Sequence, residues 1–371
     1  MQHVLILGGS GRIGRRIAAD LVTHTQVPIL IAGRNRQLGT QVAEQLGPKV
    51  RFLSLELGDQ ANLTAAIAAA SLVIHCAGPF HYQDASVLQT CIQEGANYLD
   101  VSDHRSFTAK SLACQSAAQA AGITAVINAG IFPGISNSMV RQGVEQLDKA
   151  EQIHLSYLVA GSGGAGVTVM RTTFLGLQHP FDVWRENQWQ VVQPYSEPEL
   201  VEFPPPYGRR QVYWFDMPEA FTLPQALPVK TVTTKFGSVP ELYSRLTWLA
   251  AHWFPTQWLQ RPEAIEFLAQ VSHWMTQVTD RWSGTGVAIR AQVNGEKDGR
   301  PARFCSTLVQ ADTAIAAGLG AGSIAELLLT GQLHKPGVWT VEEVLPTTLF
   351  THSMATRKVK IVPSLTLSAV P

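Results

Sequence analysis

The sequence predicts an α/β protein, with an N-terminal doubly wound parallel sheet followed by a second α+β domain. Over the first 130 residues, short apolar runs alternate with longer amphipathic segments, a pattern typical of βα units in a parallel sheet. The short runs are apolar on both faces, as expected where helices cover both sides of the sheet. The predicted strands are Val4–Leu7, Ile29–Ala32, Val50–Leu55, Leu72–Cys76, Tyr98–Val101 and Thr124–Ile127.

The amphipathic segments between these strands have the spacing of helices that bury one face. The predicted helices are Arg12–Leu21, Gln37–Leu46, Ala61–Ala70, Ala85–Glu94 and Thr108–Ala121.

Beyond Gly130 the composition changes, because eight of the nine tryptophans lie between Trp184 and Trp282. This change predicts that the domain over residues 1–130 is followed by a different one over 131–310 and by a C-terminal part with a helix and strands over 311–371. The predicted elements of the later parts are a strand at Ile153–Val159, a hairpin of Val287–Val293 and Ala302–Val309 turning at Asn294-Gly295, a helix at Asp312–Leu329, and strands at Val338–Val341 and Val359–Val362.

Composition excludes several classes of protein. The 371 residues carry 28 basic and 28 acidic side chains, 15% are charged and 46% are hydrophobic. A neutral, apolar chain is neither disordered nor a dedicated nucleic-acid binder. Four cysteines without a CxxC pair predict neither a disulfide framework nor a metal site. Since no signal peptide or long apolar run is recognisable, we expect a cytoplasmic protein.

The most informative motif is Gly9-x-Gly11-x-x-Gly14, which follows the first strand and opens the first helix. In this Rossmann context the glycines permit a sharp turn and a close backbone approach to a pyrophosphate, which the helix N-terminus stabilises. The motif therefore predicts a dinucleotide cofactor. The residues predicted to contact it here are Gly9, Ser10, Gly11, Arg12, Ile13 and Gly14.

The end of the second strand favours NADP(H) over NAD(H). An NAD-binding protein usually places a carboxylate there, whereas this sequence has Arg34, Asn35 and Arg36. A guanidinium suits a 2′-phosphate, and Arg12 could approach the same group. Alternatively, Arg34 and Arg36 are solvated residues that open a helix.

Two further segments complete the predicted cofactor site. Glu56 follows the third strand and is a candidate for the adenine end, unless it is a surface charge. Ala77, Gly78 and Pro79 follow the fourth strand, beside the point where ligands of open sheets bind. We predict that they lie along the nicotinamide half.

These motifs resemble the saccharopine dehydrogenase (reductase) family. The similar segments are Gly8–Gly14, Ala32–Arg34, Cys76–Phe80, Gly95–Ser102 and Ala129–Asn137. The resemblance implies an NADP-binding domain, a mixed-sheet substrate domain, and a late helix that packs back near the nucleotide domain. It also implies an oxidoreductase, whose substrate the nucleotide half does not specify.

Candidate catalytic residues follow the fifth strand. His104 could donate a proton near neutral pH, with Asp103 or Asp100 orienting it, and Tyr98 is a further candidate. An equally simple interpretation is a capping aspartate and a partly exposed histidine before a helix.

Candidate substrate-binding residues lie beyond the predicted sheet. The segment Gly161–Gly166 could cradle a carboxylate with backbone N–H groups, and Arg171 would face the same anion. The alternative is a structural glycine turn. The predicted substrate-binding set is Gly130, Phe132, Asn137, Gly164 and Arg171.

The tryptophan-rich segment has several interpretations: a core, an apolar pocket, a dimer face or a weak membrane-surface contact. Its main residues are Trp248, Leu249, Trp253, Phe254, Trp258, Leu259, Trp274 and Trp282.

The sequence as a whole predicts a homodimeric NADP(H)-dependent oxidoreductase that reduces a C=N or C=O bond of a small carboxylate or amino substrate. Two rivals are a reductase for an apolar, lipid- or isoprenoid-like substrate and a non-catalytic NADP(H)-binding sensor or assembly factor.

Overall fold

The chain forms two compact units, and the first is built from two separate segments. The computed structural model describes residues 3–163, 166–254, 258 and 261–367. Unit 1 comprises Met1–Ile135 and Ala314–Arg357, and unit 2 comprises Ser136–Thr313 and Lys358–Pro371. Each unit has its own sheet of seven strands.

The sheet of unit 1 is entirely parallel, as predicted. Its strands are β1 (His3–Leu7), β2 (Ile29–Gly33), β3 (Val50–Ser54), β4 (Ala70–His75), β5 (Asn97–Asp100), β6 (Thr124–Ile127) and β15 (Gly337–Thr340). Their spatial order is β15-β6-β5-β4-β1-β2-β3. The chain reverses its direction of winding between β1 and β4, and open sheets of this kind bind ligands at that point.

Helices cover this sheet and bury its apolar strands, so Val4–Leu7 is inaccessible to solvent. They are α1 (Arg12–His24), α2 (Arg36–Leu46), α3 (Gln60–Ala68), α4 (Ser86–Glu94), α5 (Arg105–Leu112), α6 (Gln115–Ala120), α12 (Thr313–Leu329), α13 (Val341–Val344) and α14 (Thr347–Thr356), with a 3-10 turn at Phe80–Tyr82. The prediction of one helix over Thr108–Ala121 was wrong, because the helix is interrupted at Ala113–Cys114.

Helix α12 returns to unit 1 and packs tightly on α1, which confirms the prediction for this helix. A Cβ atom on Gly318 would lie 2.5 Å from Cβ of Arg16, so only glycine permits this approach. A buried ion-pair network fastens the same region: Arg357 bonds Asp20 of α1 (2.7 Å) and Glu326 of α12 (2.8 Å).

Unit 2 contains the predicted mixed sheet. Its strands are β7 (Lys149–Ala160), β10 (Glu199–Phe203), β11 (Gly208–Trp214), β12 (Thr231–Val239), β13 (Gly286–Lys297), β14 (Arg300–Gln310) and β16 (Ile361–Leu367), in the order β10-β11-β12-β7-β13-β14-β16. Strands β12 and β7 are parallel, and the other pairs are antiparallel. A separate hairpin joins β8 (Phe181–Arg185) and β9 (Gln188–Val192). The helices are α7 (Ile135–Glu145), α8 (Val167–Leu175), α9 (Glu219–Ala226), α10 (Glu241–Trp253) and α11 (Pro262–Ser283).

The hairpin of β13 and β14 exists as predicted, but its turn lies elsewhere. The strands pair up to Lys297 and Arg300, so the turn is Asp298-Gly299, where both residues have positive φ. Such a pair is typical of a two-residue hairpin turn. Gly295 instead lies inside β13, where a Cβ atom would be 1.9 Å from the Lys149 carbonyl oxygen of β7.

Among the helices of the described residues, none combines the length and apolar character needed to cross a membrane.

Candidate functional site

The glycine turn between β1 and α1 has the tight geometry that its sequence predicts. A Cβ atom on Gly9 would lie 2.6 Å from Cβ of Ile31, and one on Gly14 would lie 2.5 Å from the Gly8 carbonyl oxygen. The turn therefore closes directly onto β2 and onto itself. These are the packing roles that glycines serve in a dinucleotide-binding turn.

The N-terminus of α1 suits an anion. Its N-cap is Gly11, no side chain caps the helix, and the first turn holds no acidic residue. Gly11 and Arg12 are exposed, and Ser10 and Ile13 are partly so. The backbone N–H groups of a first helical turn and the helix dipole both favour a phosphate. The residues present therefore fit the pyrophosphate of a dinucleotide.

At the end of β2, the structure separates the roles of the predicted residues. Arg34 and Arg36 are exposed. The Oδ1 atom of Asn35 accepts a hydrogen bond from the Leu38 N–H (3.0 Å) and so caps α2. The segment offers guanidinium groups and no carboxylate. Glu56, the adenine-end candidate, is also exposed.

The turn after β4 lies against the glycine turn. The Cys76 N–H donates to the Leu7 carbonyl oxygen (2.8 Å), and Ala77 backbone atoms lie 2.9 Å from where a Cβ of Gly8 would be. The structure thus brings Ala77, Gly78 and Pro79 to the place where the winding reverses.

A pair of histidines lies beyond the carboxyl ends of β4 and β5. Nε2 of His104 is 3.0 Å from Nδ1 of His81. Nδ1 of His104 is buried, and no partner is found for it among the described residues. Either tautomer of the pair leaves this atom with an unmet donor or acceptor. Burial and then the neighbouring His81 lower the pKa of His104 to about 4, so its ring is neutral near pH 7.

The aspartates have shifted pKa values but do not orient His104 as predicted, since the ring partner of His104 is His81. Burial raises the pKa of Asp103 to about 6. Burial also raises the pKa of Asp100 to about 6, and its Oδ1 accepts from the N–H groups of Ser102 (3.0 Å) and Asn128 (2.9 Å).

Asn128 is a positioning residue that the sequence analysis missed. It has positive φ (59°) at the end of β6. Its Nδ2 donates to the Ser102 carbonyl oxygen (2.9 Å) and to Oγ1 of Thr108 (2.9 Å). These bonds hold the loop that carries Asp103 and His104. An asparagine directly after a predicted strand was the available signal, because asparagine tolerates left-handed backbone.

The third catalytic candidate, Tyr98, is fully enclosed. Its hydroxyl lies 3.2 Å from Nδ1 of His75, which is also buried. Burial lowers the pKa of His75 to about 4, so this ring is neutral as well. Phe80 packs on His75 with ring centroids 5.1 Å apart. Tyr98 and His75 therefore form an internal support beneath the site.

The substrate-binding candidates have varied surroundings. Gly130 is buried, and its carbonyl oxygen accepts from the Ile135 N–H (3.3 Å). Phe132 is partly buried, and Asn137 is buried on α7. Gly164 lies outside the described residues.

The predicted anion site of unit 2 is satisfied by the protein's own carboxylates. Oδ1 of Asp280 accepts from the Ser162 N–H (2.7 Å), and its Oδ2 accepts from the Ser162 hydroxyl (2.6 Å). Arg171 donates through Nη2 (2.6 Å) and Nε (2.8 Å) to Glu266. Ser162 and Arg171 thus bind carboxylates, but internal ones.

Large parts of the tryptophan-rich segment are on the surface, so the core interpretation was wrong for them. Trp253 and Trp274 are exposed, whereas Trp248 and Trp258 are partly buried. Leu259 and the side chain of Trp282 lie outside the described residues.

The doubly wound N-terminal unit and its glycine turn have the architecture typical of a dinucleotide-binding domain. Residues 4–126 match the family described as the saccharopine dehydrogenase NADP binding domain. The resemblance drawn from the sequence motifs is therefore confirmed for this part of the chain.

Similar proteins extend the comparison. Saccharopine dehydrogenase-like oxidoreductase of Homo sapiens is 24% identical over 121 residues, 28% of each chain. The Arabidopsis thaliana protein named "Probable mitochondrial saccharopine dehydrogenase-like oxidoreductase" is 27% identical over 117 residues, 28% of this chain and 26% of that one. The alignments thus span just over a quarter of these relatives.

A solved structure is similar over almost the whole chain. Apo saccharopine dehydrogenase (L-Glu forming) from Saccharomyces cerevisiae has a TM-score of 0.71, with 14% identity over 99% of this chain and 100% of that chain. At this identity the likeness establishes the fold, including a mixed-sheet second domain, and confirms the predicted fold class.

Proposed function

We propose that the protein is an NADP(H)-dependent oxidoreductase that transfers hydride to or from a carbonyl or imine carbon of a small molecule. The observation that carries the proposal is the uncapped N-terminus of α1, which lies next to the end of β2 that carries the exposed arginines, since a Cβ atom on Gly33 would lie 3.2 Å from Oγ of Ser10. A bound nicotinamide would supply the hydride. The protein's own residues bind the cofactor and move the proton.

The preference for NADP(H) rests on Arg34. Its exposed guanidinium follows the strand whose end usually carries a ribose-binding carboxylate. The side chain of Asn35 caps α2, so the neighbouring arginines are the candidates for binding the 2′-phosphate. Arg12, exposed on the glycine turn, is the second candidate for the same phosphate.

Titration of NADPH and NADH tests this preference. We expect tighter binding of NADPH, and Arg34→Asp should weaken NADPH binding about 10- to 100-fold, since charge-assisted bonds of about 1.5–3 kcal/mol are lost. NADH binding should change little. The control is Arg51→Asp, an exposed arginine within β3. A preference of the unmodified protein for NADH would refute the argument.

Proton transfer is assigned to His104 and Asp103. Because the pKa of His104 is lowered to about 4 and that of Asp103 is raised to about 6, a proton between these pH values lies on Asp103. Near pH 7 both groups are unprotonated and can accept the proton released when an alcohol or amine is oxidised, and Asp103 is the stronger base. In the reductive direction Asp103 is the better source of the proton for the substrate, because it binds a proton at a higher pH than His104 does.

We propose no anion-binding subsite for the substrate at Arg171 or Ser162. Those groups bind Glu266 and Asp280, so they do not support a carboxylate requirement. A screen of NADPH oxidation over imines, keto acids and apolar carbonyls identifies the substrate. Activity confined to keto acids would show that a carboxylate is recognised elsewhere.

A further inference from the structure

We propose that helices α10 and α11 form a self-association surface through which two copies of this chain pair. The two helices contact each other within unit 2. The hydroxyl of Tyr243, near the start of α10, bonds the Met275 carbonyl oxygen (3.2 Å) and the Thr279 hydroxyl, both in the second half of α11.

Helix α10 exposes a regular row of apolar side chains. Leu242, Leu246, Leu249 and Trp253 are 55%, 40%, 41% and 74% exposed. Their spacing is four, three and four residues. At 100° per residue these positions span an arc of about 60°. A row of this width corresponds to the seam of a coiled coil, which is narrower than the face of a helix that packs on a globular core.

Helix α11 repeats the same pattern. Phe267, Val271, Trp274 and Val278 are 60%, 37%, 66% and 52% exposed, again with a spacing of four, three and four. Each helix therefore presents one apolar row, and the two rows have matching periods. In a two-fold symmetric pair, α10 of one copy would pack on α11 of its partner, as rows of this spacing do in coiled coils.

Area and charge agree with a second copy as the occupant. Eight side chains with these exposures present roughly 800 Å² of apolar surface, about what each partner contributes to a stable interface. From Glu241 to Ser283 the chain has four acidic and three basic residues and no lysine. Two such segments can approach without strong mutual repulsion. A membrane-bound helix instead needs a wide apolar face with a polar face rich in lysine and arginine.

Sedimentation equilibrium of the full chain tests the surface. The unmodified protein should have twice the chain mass at micromolar concentration. Leu242→Glu combined with Trp274→Glu should give the monomer mass, because four carboxylates would be buried in the pair. Val191→Glu is the matched control, since Val191 is 67% exposed on β9 and outside the rows. It should leave the dimer intact.

A monomeric unmodified protein, or a dimer that persists in the double variant, would overturn the proposal. Flotation of the protein with phosphatidylcholine or phosphatidylglycerol vesicles would also overturn the proposal if Trp274→Glu abolished it. The apolar rows would then form a lipid-binding surface. NADPH binding and circular dichroism check the fold of each variant. If the double variant does not fold, Trp274→Ala should still weaken dimerisation at least tenfold.

Discussion

The two glycine-rich segments of this chain look alike in sequence and differ in what faces them. The turn Gly8–Gly14 packs on its own backbone and on β2, and its helix begins without a capping side chain. In the segment after β7, a Cβ atom on Gly161 would lie 2.1 Å from Oδ1 of Asp280. A glycine turn before a helix therefore predicts anion binding, but not whether the anion is a ligand or an internal side chain.

The largest effect is expected from adding a side chain inside the glycine turn Gly8–Gly14. In Gly14→Val the new side chain would meet the Gly8 carbonyl oxygen, which is backbone and cannot move aside. NADPH binding should weaken at least about 100-fold, equivalent to about 2.7 kcal/mol. Fluorescence titration measures this. Gly58→Ala, with open space around it, should bind normally. Normal binding by Gly14→Val would remove the turn from the cofactor site.

Removal of the proposed proton acceptor should have the next largest effect. His104→Ala should lower turnover of the best substrate at least about tenfold. This is a minimum, because a positioned acid or base typically contributes about 100-fold or more. NADPH binding should be retained. In the unmodified protein, oxidation should slow as pH falls through about 6, where Asp103 takes up a proton, and again near pH 4, where His104 does.

Stopped-flow pH profiles measure this behaviour. His352→Gln, an exposed histidine of α14, is the control and should keep full activity. Unchanged turnover in His104→Ala would exclude the residue from the reaction.

Changes in the second glycine segment should have the smallest effect on the cofactor site, although they destabilise unit 2. Asp280→Ala removes the carboxylate that accepts from Ser162 and should destabilise unit 2 by about 2 kcal/mol, within the range for charge-assisted bonds. Urea unfolding measures the loss, and Glu44→Ala, exposed on α2, serves as control. NADPH affinity should not change. If it fell with stability intact, the contrast between the two segments would fail.

Local patterns predicted the six strands β1–β6 and the cofactor turn, because each βα unit packs mainly on its neighbours in sequence. They could not place β15 in the same sheet, since Lys335 bonds Thr124 across 211 positions. The prediction of a turn at Asn294-Gly295 was wrong for a related reason. Gly295 is a glycine because strand β7 passes very close to it, and the local sequence contains no sign of that contact.

The candidate site could also be predicted where its residues lie in one contiguous motif, but not where they come from separate loops. The cofactor residues belong to contiguous motifs, and the structure brings Gly8 and Ala77 together as expected. His81 and Asn128 were missed because they act through contacts between separate loops. The shifted pKa of His104 depends on burial, which sequence spacing does not report.

The interrupted course of unit 1 has a consequence for synthesis on the ribosome. When residue 135 has emerged, β6 is an open sheet edge and Asp20 lacks the arginine that will cover it, since both β15 and Arg357 are encoded after all but the last residues of unit 2. An unpaired edge strand is a template for aggregation. We therefore expect the nascent nucleotide-binding unit to stay incomplete, and dependent on chaperone protection, until the segment Ala314–Arg357 has been synthesised.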